Sequence, residues 1–298
     1  MSQDIKNTTY FSEMKARVSG FERFRRVFFG RKIVVFGLVI IVILVITAIF
    51  APLIAPYDPY EQDLKQPLAQ PNRNHLLGTD SLGRDTLSRV IFGARISLLV
   101  GITAIALAGT VGTALGLIAG YFGGATYAII MRAMDALMAI PMLALVLVIA
   151  SMLGGGLKNV VIALSVGAVA MYARMMCGQV LAVRENDYVF ASRAMGANNL
   201  QIMLRHLLPN CFPPLIVVMT MQMGVMILAE AGLSFLGVGI EPPVAAWGAM
   251  VTDGYRFLLT NPILSFAPGL AIMLVVFAYN MVGDGLRDAI DPRLRGTL

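Results

Sequence analysis

Asp80 and Asp85, each followed four residues later by an arginine (Arg84 and Arg89), are the nearest thing in this sequence to paired carboxylates for general acid–base work. An arginine one helical turn away holds a carboxylate ionised, and no second catalytic group accompanies them. They read instead as acid-before-base pairs on a helix surface. Two cysteines, Cys177 and Cys211, and two histidines, His75 and His206, are too few and too scattered for a disulfide framework or a His/Cys metal cage. The sequence has no GxxxxGK[ST] loop to cradle phosphates, and no HExxH or GxSxG. The expectation is a chain with no catalytic residue, no metal site and no cofactor of its own.

The elements that carry these residues are mostly apolar. Of 298 residues, 58% are hydrophobic and 13% charged, against about a quarter charged in a soluble domain. So little polar surface cannot cover a soluble core, and the bilayer must serve as part of the solvent. The net charge of +6 does not point to nucleic acid, because the basic residues cluster: Lys6, Lys15, Arg17, Arg23, Arg25, Arg26, Arg31 and Lys32 all precede the first apolar run. That run, 33–54, is too long for a cleaved signal core and suits a retained span.

Five further apolar runs follow, near 96–120, 129–153, 159–180, 212–236 and 264–283. In lipid these must be helices, since no pattern of alternating ten-residue segments suggests a barrel. With the N-terminus inside, the basic residues of the connections favour that side, which predicts cytoplasmic termini. The chain then divides into a basic segment 1–32, a first span 33–54, an external segment 55–95 with a surface helix, a five-span core 96–283, and a tail 284–298. The core includes an inner loop 187–210 and an outer loop 237–262.

Within 187–210, Leu200, Met203, Leu204, Leu207 and Leu208 repeat as on an amphipathic helix, with Gly196 before them and Pro209 at their end. Two short helices meeting at Gly196 are predicted, able to pass force from the cytoplasm into the spans. In the outer segments, Leu87, Val90, Ile91 and Ala94 share a helical face. Pro242 and Pro243 forbid an ordinary helix, and the single Trp247 fits an interfacial anchor or a docking loop. Arg132 and Asp135, three apart, suit mutual pairing, and Arg174 a span-end anchor. Glu230 stands inside the fifth span with no basic residue within a turn, beside the methionine-rich run 219–226.

The stretch ASRAMGANNLQIMLRHLLPN, 191–210, resembles the EAA loop of permease subunits of binding-protein-dependent, ATP-driven importers. Ala191 and Ser192 stand at the two Ala positions, Gly196 at the Gly, and His206 to Pro209 at the closing Ile-x-Leu-Pro; Phe190 replaces the Glu and His206 the Ile. HLLGTDSLGRDTLSR (75–89), AEAGLSFLGVGIEPPVAAWG (229–248) and GDGLRDAIDPRLR (283–295) resemble the C-type subunit of dipeptide, oligopeptide and nickel permeases.

The resemblance implies an all-α membrane protein of six transmembrane helices with a type I, MetI-like permease core. It also implies a homologous B-type permease subunit, two ATP-binding subunits that hold ATP and Mg, and an external solute-binding protein. Carried onto this chain, Ala191, Arg193, Gly196, Ala197, Leu200, Met203, Leu204, Arg205, His206, Leu207 and Pro209 would couple to the ATPases. Leu200, Met203, Leu204 and Leu207 would enter their groove. Glu230, Met219, Met223 and Met226 are candidates for the translocation path, and Asp80, Arg84, Asp85, Pro242, Pro243 and Trp247 for binding-protein docking. The cargo stays open among dipeptides, oligopeptides, glutathione-like molecules and nickel chelates. The alternative is an ATP-independent transporter or channel, which would need several membrane-buried ionisable residues or broken helices.

Overall fold

The computed structural model describes residues 20–290; the first 19 residues of the basic segment and the tail from 291, with Arg293 and Arg295, lie outside the described residues. Helix α1, Gly20–Gly30, precedes the first span and packs on the last helix of the chain. Phe24 and Phe28 stack along it, 5.5 Å apart, while Arg25 and Arg26 stay exposed. Helix α2, Lys32–Ile49, follows, with a one-turn continuation at Ala51–Ile54. Arg31, between α1 and α2, forms an ion pair with Asp288 near the chain's far end.

Helix α3, Thr86–Phe122, runs unbroken for 37 residues. A surface helix and a separate second span were expected; instead one rod begins where Asp85 caps it, accepting from the Ser88 backbone N–H at 2.8 Å. Nothing between Thr86 and Phe122 withdraws a backbone donor, so amphipathic start and apolar continuation form one helix of about 55 Å. The residues before it, 55–85, fold back onto its first turns, with a single bridge between Thr79 and Asp85.

The expected third span is two helices, α4 (Gly124–Met138) and α5 (Met142–Leu153), bent by 91°. Pro141 lies at the break. It offers no N–H, and its ring would collide with the carbonyl four residues back, so the helix restarts after it. The run read as continuous because its hydropathy does not change there. A broken helix, one of the features expected of the ATP-independent alternative, is thus present.

The remaining helices are α6 (Leu157–Val183), α7 (Asp187–Ala194), α8 (Pro213–Phe235), α9 (Trp247–Tyr255) and α10 (Ile263–Ile290). Among the described residues, helices α2, α3, α6, α8 and α10 are long and apolar enough to cross a bilayer, and the bent pair adds a sixth if its two arms count as one span. The core forms where α3 lies along α6. A Cβ on Gly116 would stand 2.2 Å from the Ala173 carbonyl oxygen, so only glycine lets the two backbones approach this closely. Helices α8 and α10 close the other side of the same core.

Candidate functional site

The loop 187–210 builds its bend from local hydrogen bonds. Helix α7 ends in a Schellman motif: the Gly196 N–H bonds the Arg193 carbonyl at 3.0 Å and the Ala197 N–H the Ser192 carbonyl at 3.1 Å. Gly196 sits at φ +85°, a conformation that side-chain-bearing residues resist. Asn198 then starts the second arm through a capping box with Gln201.

That arm opens with an α-helical turn, Asn199–Gln201, widens into a π-helical stretch, Ile202–Leu207, and closes at Leu208–Cys211. Pro209 has no N–H for the Arg205 carbonyl, and its ring would meet that carbonyl in a regular turn. The wider turn relieves both problems.

The widening re-aims the apolar stripe. Leu200 (60% exposed) and Leu204 (49%) face outward, joined by Met195 (82%) at the bend. Met203 and Leu207, expected on that same outward face, are buried against Leu117, Tyr121, Met176 and Val180. Ile202, which the stripe left out, is fully buried with them. A turn closed by i→i+5 bonds holds an extra residue, so a 3.6-residue stripe drawn across it assigns the wrong side chains.

The polar residues of the loop fasten it inward. The Arg193 guanidinium lies over the Tyr121 ring at 5.8 Å and donates to its hydroxyl at 3.4 Å, while the Tyr121 hydroxyl donates to Asn199 Oδ1 at 2.8 Å. One side chain at the end of α3 thus touches both arms. His206 Nε2 lies 3.3 Å from Ser192 Oγ, bridging the arms on the other side of Gly196. Ala191, Arg205 and Pro209 are exposed and Ala197 is half-buried. Nearby Cys211 is buried, which pushes its thiol up to about 11.

The candidate path residues are packed within the subunit. Met223 and Met226 are core side chains, and Met219 rests on Gly109. Glu230 is fully buried: the Ser234 hydroxyl donates to its Oε1 at 2.8 Å and accepts from the Ile240 N–H at 3.3 Å. It therefore anchors the start of the loop after α8. The face that α8 leaves open carries Val225, Leu228 and Phe235, which with Met142, Leu143 and Val146 of α5 line an apolar groove of about 640 Å³. Sequence reasoning missed these because an open apolar face of a membrane helix looks like any other.

At the opposite end of α3, most of the expected docking residues turn inward. Arg84 Nε donates to Asp80 Oδ2 at 2.6 Å, as the spacing predicted. Asp85 does not pair with Arg89; it caps α3 and receives His75 Nδ1 at 2.9 Å. Arg89 is buried, donates to the Pro59 carbonyl at 3.0 Å and lies 3.5 Å from Asp80. Arg84 and Asp85 are buried and Asp80 is largely so; together they hold segment 55–85 against α3 and offer little to a partner. Trp247 is also buried, neither an interfacial anchor nor a docking contact: its indole N–H bonds the Val90 carbonyl at 2.9 Å, and its ring fills the space that Gly93 leaves open. Pro242 and Pro243 alone of the six are exposed, beside the exposed Glu241.

Residues 112–296 match the family described as "Binding-protein-dependent transport system inner membrane component", and residues 19–71 match the "N-terminal TM domain of oligopeptide transport permease C". The chain is 40% identical over 264 residues to the dipeptide transport system permease protein DppC of Alkalihalophilus pseudofirmus, covering 89% of this chain and 87% of that one. It is 43% identical over 265 residues to DppC of Haemophilus influenzae (87% and 90%). It is 38% identical over 273 residues to the glutathione transport system permease protein GsiD of Pectobacterium atrosepticum (91% and 91%). Among solved structures, an inward-facing form of the MetNI methionine ABC transporter superposes with a TM-score of 0.56 at 21% identity, over 69% of this chain and 98% of that chain, a likeness of fold.

Proposed function

The chain belongs to the family of binding-protein-dependent transport system inner membrane components, and from that premise we propose that it carries small peptides through half of a two-subunit path. It is a multi-pass inner-membrane permease subunit of an ABC importer, working with ATPase and partner permease subunits. In our reading the other half of the path is a homologous B-type subunit, two ATPases dock on the cytoplasmic side and hold ATP and Mg, and an external binding protein delivers the solute. The names of its relatives, two for dipeptides and one for glutathione, support a short peptide as cargo.

The observation that carries the coupling role is the outward apolar face at the Gly196 bend, made of Met195, Leu200 and Leu204. Exposed apolar side chains on a polar loop mark a surface that a partner covers. Arg205 stands at its rim, and Met203 and Leu207 join it to the membrane core. Closure of the ATPases would move this loop, and Tyr121 would pass the displacement to α3. Such a shift is a change between two packed arrangements biased by nucleotide. This reading puts the loop and both termini in the cytoplasm, in agreement with the basic residues of the connections.

Single cysteines test it. In the assembled complex, Leu200→Cys and Leu204→Cys should cross-link to an ATPase subunit, while Met203→Cys and Leu207→Cys should not. The native Cys177 and Cys211 are buried and give a silent background. Capture from positions 203 and 207 but not from 200 and 204 would turn the assigned face around, and no capture at all would end the coupling reading.

A further inference from the structure

Two charged side chains inside the membrane-spanning helices pair across a helix contact that the coupling reading does not use. Asp135 of α4 forms an ion pair with Arg174 of α6, in place of the expected pairing with Arg132. The pair is half open to its surroundings, with 52% of the Arg174 side chain and 47% of the Asp135 side chain exposed. Arg174 lies about 14 Å along the axis from the loop end of α6, well within the helix. Charge exposed part-way along a span is costly against lipid, which favours protein or water as what it meets.

The neighbouring contacts say which surface this is. Met171, one turn before Arg174 on α6 and also exposed, accepts a hydrogen bond at 3.3 Å from Gln222 of α8. Gln222 stands one turn from Val225, which lines the apolar groove. On the other side, Met142 and Val146 at the start of α5 rest on Gly167, two turns from Arg174. The bent pair therefore straddles α6, its break at Pro141 between the groove and the ion pair. Along α6, then, the Gln222 amide and the Asp135–Arg174 pair lie within a turn of each other, and the groove-lining Val225 is one turn from Gln222.

We propose that Asp135 and Arg174 form a transient binding station for the charged groups of a zwitterionic peptide, the guanidinium receiving its carboxylates and the carboxylate its ammonium groups. The proposal rests on the permease reading above and adds which residues meet the solute and by what chemistry. A peptide in water has its charges solvated, and an apolar passage would strip them. An ion pair that exchanges its own partner for the solute's groups replaces that solvation locally. Because each member of the pair is left with a partner in both states, the exchange leaves no charge bare.

The test measures ATP-dependent uptake of Ala-Ala, Lys-Ala and Glu-Ala by cells carrying the whole complex and no other peptide importer. Arg174→Gln should lower Glu-Ala uptake most and Asp135→Asn should lower Lys-Ala uptake most. The Lys-Ala to Glu-Ala ratio should move about tenfold in opposite directions. Equal loss of all three peptides in both variants would reduce the pair to a bridge between helices and overturn the proposal. So would failure of either single variant to co-purify with the second permease, which would make the pair part of that interface. A wild-type complex that imports none of the three peptides would sink the peptide reading itself, and a normal wild type with unmoved ratios only this inference.

Discussion

Glu230 illustrates how one buried atom sets a residue's role. Its Oε1 receives the Ser234 hydroxyl, and Ser234 in turn holds the Ile240 backbone, so the side chain ties the end of α8 to the loop that follows. Nothing in that arrangement requires a negative charge, only an acceptor. Glu230→Gln should keep peptide uptake within about twofold of wild type, whereas Glu230→Ala, which leaves Ser234 without its acceptor in the core, should destabilise the subunit by about 1–3 kcal/mol. Thermal unfolding of the detergent-solubilised complex, read beside uptake, separates the two. A Gln variant that folds normally yet transports nothing would return Glu230 to the path.

At the scale of elements, the bend at Gly196 and the break at Pro141 are local backbone events with different origins. Gly196 is held at φ +85° with open space around the position of a Cβ, so a substitution there meets backbone strain and no clash. Asn tolerates that conformation better than a β-branched residue does. Gly196→Asn should retain most uptake. Gly196→Val, costing about 1–2 kcal/mol or more in the bend, should separate ATP hydrolysis from uptake while the complex still assembles. Uptake by the Val variant equal to wild type would mean the bend is not part of the coupling path.

For the whole molecule, α3 is the member that ties distant regions together. Its first turn organises the 55–85 segment through Asp85 and Arg89, and its last turn touches both arms of the coupling loop through Tyr121. Between them it lies close along α6. Gly116→Ala would press a methyl group onto the Ala173 backbone, where no flexible side chain can yield. The expected cost is about 1–3 kcal/mol and a lower yield of folded complex, with the external and loop ends both affected. Limited proteolysis of segment 55–85 and of loop 187–210 reads the two ends separately; loss of protection at one end alone would argue against a rigid connection.

Composition and local spacing were enough to name the solvent and to mark the apolar runs that enter it. Composition demanded a bilayer, hydropathy marked six apolar runs, and Gly196 with its spacing to Pro209 marked a helix–bend–helix loop. These follow from interactions close along the chain, which a one-dimensional reading contains. Packing between helices chose the face that each one presents. The π-helical turn before Pro209 sent Met203 and Leu207 inward and left Leu200 and Leu204 outward. Packing buried Trp247, Met223, Met226 and Glu230, and it gave Asp135 a partner 39 residues away instead of three. In a chain this apolar, a helix face turned to lipid, to a core or to a path carries much the same residues, so hydropathy cannot separate them; only the contacts between helices do.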